Sequence, residues 1–296
     1  MMIWYFRKDH ELDWEAEQFF VAAQGLLDVQ VVCPSEVDII VTRSDRRSIR
    51  LNNEPVQLPK LVFARTGSGS GYQALSVLRH MEQLGVPVIN SAQAIEIAKD
   101  KLHSTQLLAS AGIPTPRTML ARFPVKVDVI KRQIGFPCVI KVLSGSYGKG
   151  IHLCSDEKAL EELMEFVSSL NSPLNIIIQE YIDTAPGQDL RVLCVGDKVI
   201  GAMKRSSTDG DFRANITRGG VGDAYKVTPE IEQIALDTMR CLGLQIGGID
   251  LLFDKQSFKV CEANSAPGWI GFQQATGINV ADHLVEYVNQ TIAGIV

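Results

Sequence analysis

The spacing of apolar positions changes character along the chain. Over residues 1–90, short apolar runs at 3–7, 29–33, 61–64 and 86–90 alternate with stretches at 14–27 and 72–84 whose apolar residues recur at helical spacing. Two more short runs, 39–42 and 48–51, flank Ser44-Asp45-Arg46-Arg47, a composition that predicts a hairpin turn. Strand and helix alternating in this way imply a mainly parallel sheet covered by helices. Residues 91–111 read as one or two helices, stopped by Gly112-Ile113-Pro114-Thr115-Pro116, where two prolines forbid continuation. A βαββα unit follows, with strands at 118–121, 138–142 and 151–154 and helices at 127–133 and 156–170. From residue 175 the pattern is strand-rich, with runs at 176–180, 190–195, 199–204, 248–253 and 258–263 and helices at 229–242 and 280–292. Gly196-Asp197 supplies a two-residue hairpin turn. Boundaries near Asn90 and at Asn171-Ser172-Pro173 divide the chain into units 1–90, 91–172 and 173–296. The expected class is α/β, with α+β character in the C-terminal part.

Composition narrows the class of function. With 46% hydrophobic and 21% charged residues the chain reads as an ordinary soluble globular protein. A net charge of -5 with dispersed basic residues gives no footprint for nucleic acid. The first residues turn charged before any signal-peptide core forms, and no later run stays apolar for the ~18 residues of a membrane helix. No membrane partner is therefore expected. The six cysteines contain no C-x-x-C pair and several lie in apolar runs, which fits free buried thiols in a reducing cytoplasm. The five histidines show no metal-ligand spacing and read as surface or core residues.

Candidate chemistry is concentrated in two places. Residues 138–154 form strand, glycine-rich loop, strand, with Lys141 at a strand end and Ser146, Gly148 and Gly150 in the loop. Small residues let backbone N–H groups approach phosphate oxygens, and a lysine neutralises them. The loop is not a P-loop, because Lys149 is followed by Gly150 and a strand rather than by Ser or Thr and a helix. It suits a lid over a nucleotide, and it would also suit a merely flexible hairpin. The second place is Gly248-Ile249-Asp250 followed by Glu262-Ala263-Asn264. Asp250 interrupts an apolar strand, and Glu262 and Asn264, two apart, share a strand face. Uncompensated carboxylates there would be costly, so something positive belongs between them, and oxygen-only donors suit Mg²⁺. A solvated polar face is the alternative. As metal ligands rather than core residues, Asp250 and Glu262 are expected to be replaceable without loss of the fold.

Between these lie Gln179-Glu180-Tyr181-Ile182, Asp189-Leu190-Arg191 and Asp211-Phe212-Arg213-Ala214-Asn215. A strand end offers backbone groups to an adenine edge, and Arg213 has the planar fork for a transferring phosphoryl group. A competing cluster, Arg65-Thr66-Gly67-Ser68-Gly69-Ser70-Gly71, has G-x-G-x-G spacing rather than G-x-G-x-x-G, and no acidic residue ends the strand at Asn90. A nicotinamide site is therefore disfavoured. Anion binding at the following helix start, of a substrate carboxylate for example, stays open.

The ordered set Lys101, Lys141 with its glycine loop, Gln179 to Ile182, Asp189-Leu190-Arg191, Arg213-Ala214-Asn215, Asp250 and Glu262-Ala263-Asn264 resembles the ATP-grasp superfamily, in its RimK-type α-L-glutamate ligase branch. The resemblance spans nearly the whole chain and implies three subdomains, with ATP held between two α+β units. It implies nucleotide contacts from Lys101, Lys141, Ser146, Gly148, Gln179, Glu180, Tyr181, Ile182, Asp189 and Arg213. Two Mg²⁺ or Mn²⁺ ions on Asp250, Glu262 and Asn264 are implied too, with Arg213, Asn215 and Asn264 as catalytic residues. The activity implied is ADP-forming ligation of an amino acid, L-glutamate first, to a peptide, a protein C-terminus or a small acid, by a cytoplasmic homo-oligomer, dimer or tetramer. Residues 206–210 and 77–80 also look like vertebrate members that attach glutamate to N-acetylaspartate or citrate. Asn264-Ser265-Ala266-Pro267-Gly268 departs from the Asn-Ala-Ser-Pro-Gly of bacterial relatives, in a loop expected to face the substrate. A non-catalytic ATP-binding regulator is the competing class.

Overall fold

The computed structural model describes residues 2–42, 48–67, 71–142, 150–169, 175–208, 210–212, 214, 219–255 and 257–294. The hairpin turn expected at 44–47 lies outside them. The N-terminal part comprises β1 (Met2–Phe6), α1 (Trp14–Ala23), β2 (Asp28–Val32), β3 (Val37–Ile39), β4 (Ile49–Leu51), β5 (Glu54–Pro55), β6 (Val62–Ala64), α2 (Tyr72–Gln83) and β7 (Val88–Ile89). Strands β2-β1-β6-β7 form a parallel sheet and β3-β4-β5 a small antiparallel one. β1 is apolar at every position because both of its faces are covered. Ile3 and Tyr5 pack with Phe19 of α1, whereas Trp4 and Phe6 pack with Leu78 and Met81 of α2. Asp13 starts α1 by accepting the N–H of Ala16 at 2.9 Å.

The helical stretch that follows is two helices, α3 (Ala92–Lys99) and α4 (Lys101–Ser110). Asp100 divides them. Its carboxylate accepts the N–H groups of Leu102 and His103, both at 3.0 Å, so it caps α4 instead of continuing α3. Next come β8 (Thr118–Leu120), α5 (Val127–Gln133), β9 (Cys138–Val142), β10 (Ile151–Cys154), α6 (Glu157–Ser169) and β11 (Ile176–Glu180). These strands make an antiparallel sheet in the order β10-β9-β11-β8. The sheet packs Ile140 and Ile178 against Ile130, Leu160 and Met164 of the two helices. It extends beyond the boundary expected at 172 as far as Glu180, because β11 pairs centrally between β9 and β8.

The C-terminal part contains β12 (Gln188–Val195), β13 (Lys198–Ser206), β14 (Val221–Tyr225), α7 (Pro229–Leu242), β15 (Ile246–Asp254), β16 (Ser257–Asn264), α8 (Ile270–Thr276) and α9 (Val280–Ala293). Its antiparallel sheet has the order β14-β13-β12-β15-β16. One face carries Leu190, Val192, Ala202, Ile249, Leu251, Val260 and Ala263 onto α7, together with Ala94 of α3 and Leu108 of α4. On the other face Leu193, Val195, Met203 and Ile246 join Phe272 of α8, Leu284 and Val288 of α9, and Ile3, Tyr5 and Phe19 of the N-terminal part in one core. Burial contributes about 1.5–3 kcal/mol for each large side chain, so the N- and C-terminal sheets are strongly joined. Asn90 adds a polar fixing point at this junction. It is 1% exposed, its amide N–H groups reach Ile246 and Ser265 carbonyls at 2.7 Å each, and its carbonyl accepts Gln245 and Ile246 N–H at 2.6 and 3.0 Å.

Candidate active site

The polar end of the second face is set by strand alternation, which puts Asp189 and Arg191 of β12, Arg205 of β13, Asp250 of β15, and Glu262 and Asn264 of β16 on one side of the sheet. The register pairs Asp189 with Arg205, Arg191 with Asp250, Asp250 with Glu262, and Gly248 with Asn264. Gly248 is required there. A Cβ on it would sit 2.7 Å from Pro267 Cβ and 3.1 Å from Arg191 Cδ. The missing side chain gives the arginine stem its space.

Asp250 is held by two guanidinium groups. Arg191 clasps it with Nε and with Nη2, the latter at 2.8 Å, and Arg205 Nη2 reaches it at 3.0 Å. Arg205 also grips Asp189 through Nε at 2.6 Å and Nη2 at 2.7 Å. Burial would raise the Asp250 pKa, but Arg191 and Arg205 together hold it down to about 2. Burial pushes the Asp189 carboxyl up from its ordinary value, opposed by Arg205 and reinforced by repulsion from Asp250. The positive charge expected between the carboxylates is thus supplied by the protein itself. This corrects the expectation that Asp250 can be replaced without consequence for the fold, since its loss would leave Arg191 without its carboxylate partner and the buried Arg205 with Asp189 alone.

On β16 the pairing with β15 slips between Asp250 and Leu251, leaving Cys261 as an extra residue beside Glu262. The Cys261 thiol lies 3.6 Å from Lys141 Nζ at the end of β9. Burial raises the thiol pKa, with Lys141 acting in the opposite sense. This contact brings the phosphate-binding candidate of the central sheet over the strand that carries Glu262 and Asn264. Glu262 is half-buried and makes no ion pair among the described residues. Asn264 Nδ2 donates to Gly248 O at 3.4 Å. Two acids and an amide at facing positions are the donor set of a hard cation. Glu262 and Asn264 fit that role directly, and Asp250 fits it by sharing an oxygen already bonded to arginine.

Glu180 closes the other end. Its carboxylate accepts Arg117 N–H at 2.9 Å and Lys259 Nζ at 2.7 Å, and Lys259 also reaches Asp254 at 3.3 Å. Burial works against the charged form, but Lys259 and the Arg117 N–H leave the Glu180 pKa below its ordinary value. Gln179, buried, donates to Thr118 Oγ1 at 2.8 Å, and Tyr181 meets Phe212 edge-on at 6.3 Å between centroids. The chain leaves the sheet through Tyr181 and Ile182. Lys101 is the first residue of α4, a helix packed on β16 and α7. Ser146, Gly148, Arg213 and Asn215 lie outside the described residues.

Sequence reading missed Arg205 and Cys261. A charge in the apolar run of β13 was the available signal for Arg205. Nothing in sequence could signal Cys261, because its position depends on the slip in pairing. The fold also brings His10 Nε2 to 2.9 Å from Glu36 with Cys33 beside it, a grouping that sequence spacing did not reveal. Glu36 there also accepts the Cys33 N–H at 2.9 Å, and Asn52 reaches its second oxygen at 3.4 Å.

Solved structures with this arrangement of sheets are ATP-grasp proteins. The chain matches the RimK domain protein ATP-grasp from Sphaerobacter thermophilus with a TM-score of 0.75 at 18% identity, over 97% of this chain and 99% of that one. It matches the ATP-grasp ligase PsnB complexed with precursor peptide PsnA2 and AMPPNP with a TM-score of 0.73 at 18% identity, over 98% and 97%. D-alanine--D-alanine ligase from Bacillus anthracis complexed with ATP gives 0.68 at 16% identity, over 100% and 98%. The fold is therefore that of the ATP-grasp class. Within that class, the RimK-like ATP-grasp domain matches residues 98–288. A probable alpha-L-glutamate ligase 2 of Pseudoalteromonas atlantica is 38% identical over 261 residues, 86% of each chain. Its namesake in Shewanella denitrificans is 41% identical over 240 residues, 80% of this chain and 79% of that one. The chain belongs to the RimK-like ATP-grasp family and is an ATP-dependent amide-forming ligase, in a family that uses ATP and Mg²⁺. Among the described residues no helix is long and apolar enough to cross a membrane.

Proposed function

We propose that this ligase joins the amine of L-glutamate to a carboxylate acceptor, either a peptide or protein C-terminus or a small acid. An acceptor oxygen attacks the γ-phosphorus of ATP, the bond to the bridging oxygen breaks, and ADP leaves. The glutamate nitrogen then attacks the acyl carbon, phosphate departs with the C–O electron pair, and the nitrogen loses a proton. The observation that carries this reading is the approach of Lys141 to the strand bearing Glu262 and Asn264, opposite Asp250. It joins a phosphate-neutralising cation from one sheet to an oxygen donor set on another.

On this reading Lys101 and Lys141 neutralise phosphate oxygens, while Glu180, Tyr181 and Ile182 border the adenine next to Gln179. Asp189 reaches the nucleotide while paired with Arg205. Ser146 and Gly148 belong to the covering loop, and Arg213 and Asn215 attend the transferred phosphate. Mg²⁺ or Mn²⁺, two ions held by Asp250, Glu262 and Asn264, would supply charge neutralisation on the phosphates. Three subdomains follow, as the family resemblance implied, with the boundary between the second and third moved from 172 to just past Glu180 because β11 belongs to the central sheet, and the working form is a cytoplasmic homo-oligomer. ADP release should be measured with each amino acid in turn, with and without peptide or dicarboxylate acceptors. L-glutamate plus an acceptor should give ADP. ATP binding without ADP release in any combination would instead support a non-catalytic nucleotide-binding regulator.

A further inference from the structure

The segment leaving β16 after Asn264 is held from the N-terminal part of the chain. Asn90 donates to Ser265 O at 2.7 Å, and Arg65 Nη2 donates to Pro267 O at 3.0 Å. Glu15 of α1 accepts two consecutive N–H groups on one oxygen, from Trp269 at 2.5 Å and Ile270 at 3.2 Å. Its other oxygen faces Arg65 Nη2 at 3.3 Å, and the Arg65 guanidinium lies 4.6 Å from the centroid of the Trp269 ring. The ion pair and its ring are largely shielded, with the Arg65 and Glu15 side chains only 9% and 13% exposed and Trp269 at 1%, while Ile270 lies at the open rim. Charge-assisted bonds shielded from water in this way fix a segment far more firmly than exposed ones.

Strand β16 works as a ruler for what this segment faces. Lys259 pairs with Glu180 at the adenine-side strand end, Cys261 meets Lys141, Glu262 opposes Asp250, and Asn264 follows. At about 3.3 Å per residue, Lys259 to Asn264 covers ~16 Å, the order of length of an extended triphosphate nucleotide. Segment 265–270 therefore begins where the terminal phosphate would end, on the side of the carboxylate to be activated. Donor capacity is also left in the clamp, since among the described residues Arg65 Nη1 and Trp269 Nε1 are buried without an acceptor.

We propose that Glu15 and Arg65 are positioning residues that set segment 265–270 for the carboxylate substrate, so that the N-terminal part governs acceptor affinity and not nucleotide affinity. This rests on the ligase reading above. The test compares Glu15→Gln and Arg65→Lys with the parent chain by steady-state kinetics and by amide hydrogen exchange. Weakening a hydrogen bond to a charged group should raise the KM for the acceptor roughly ten-fold or more. The KM for ATP should stay within about two-fold, and kcat should change less than the acceptor KM. Exchange at Trp269 and Ile270 should quicken by about ten-fold in Glu15→Gln while β15 and β16 keep their protection. An unchanged acceptor KM, or an ATP KM raised equally, overturns the proposal. Should the parent chain form no ADP with any substrate pair, the ligase reading fails by itself. The clamp is then judged by exchange alone, and unaltered Trp269 and Ile270 amides would refute it.

Discussion

Replacing Asp250 by Asn should damage the fold, whereas replacing Glu262 by Gln should damage only activity. Asp250 is 3% exposed and satisfies two arginines, one of which, Arg205, is itself 5% exposed. The neutral amide keeps the shape but removes the charge, leaving Arg191 without its carboxylate partner and Arg205 with Asp189 alone. Breaking one side of a buried ion pair costs about 3–5 kcal/mol, because the remaining charge stays out of water. At roughly 2–4 °C per kcal/mol, Tm should fall on the order of 10 °C. Glu262 is half-buried and lacks an ion pair among the described residues, so Glu262→Gln should keep stability within about 0.5–1 kcal/mol while abolishing most ADP formation. Differential scanning calorimetry of both variants, alongside ADP release, separates the two roles. A Tm for Asp250→Asn equal to that of the parent chain would refute the reasoning, as would an equal fall in both variants.

Three further outcomes follow from the same geometry. Lys141→Ala should weaken ATP binding at least about ten-fold in calorimetric titration, the loss of one charge-assisted phosphate contact, and unchanged affinity would remove Lys141 from the phosphate site. Glu180 has a folded-state pKa below its ordinary value, so its ion pair contributes stability above about pH 4.3 that disappears as pH falls through the folded pKa. Lys259→Met should therefore flatten the fall of Tm between pH 6 and 3, and an identical profile would count against the link. Asn90→Ala removes four hydrogen bonds at a buried junction and should cost about 2–4 kcal/mol in denaturant unfolding; a cost near zero would show the junction to be held by apolar packing alone.

Much of the scaffold was legible because local pattern and tertiary role agree. The alternation of short apolar runs with helical ones announced a helix-covered parallel sheet, with β1 at its centre, and Gly196-Asp197 marked the turn into β13, where Gly196 takes φ +58°. Three elements escaped notice, among them the two-residue strand β5 (Glu54–Pro55). β14 is an edge strand reading Val-Gly-Asp-Ala-Tyr with no buried residue, and α8 is a seven-residue helix containing a glycine. None of the three carries a hydrophobic period. Of the site, Asp250, Glu262 and Asn264 stood out as polar interruptions of apolar strands. Their counter-charges did not, because the grip of Arg205 on Asp189 and Asp250 depends on cross-strand register and not on spacing along the chain. The clamp was further out of reach, since Glu15 and Trp269 are 254 positions apart and meet only through the shared core of α1 and α9.

In the proposed reaction an acceptor carboxylate is activated by phosphoryl transfer on the polar face of the C-terminal sheet. Isotope transfer tests it most directly. An acceptor labelled with ¹⁸O in its reacting carboxylate should be turned over with ATP and L-glutamate, and the released phosphate read by ³¹P NMR. One ¹⁸O atom should appear in the phosphate for each amide formed. Amide formation with unlabelled phosphate would contradict it.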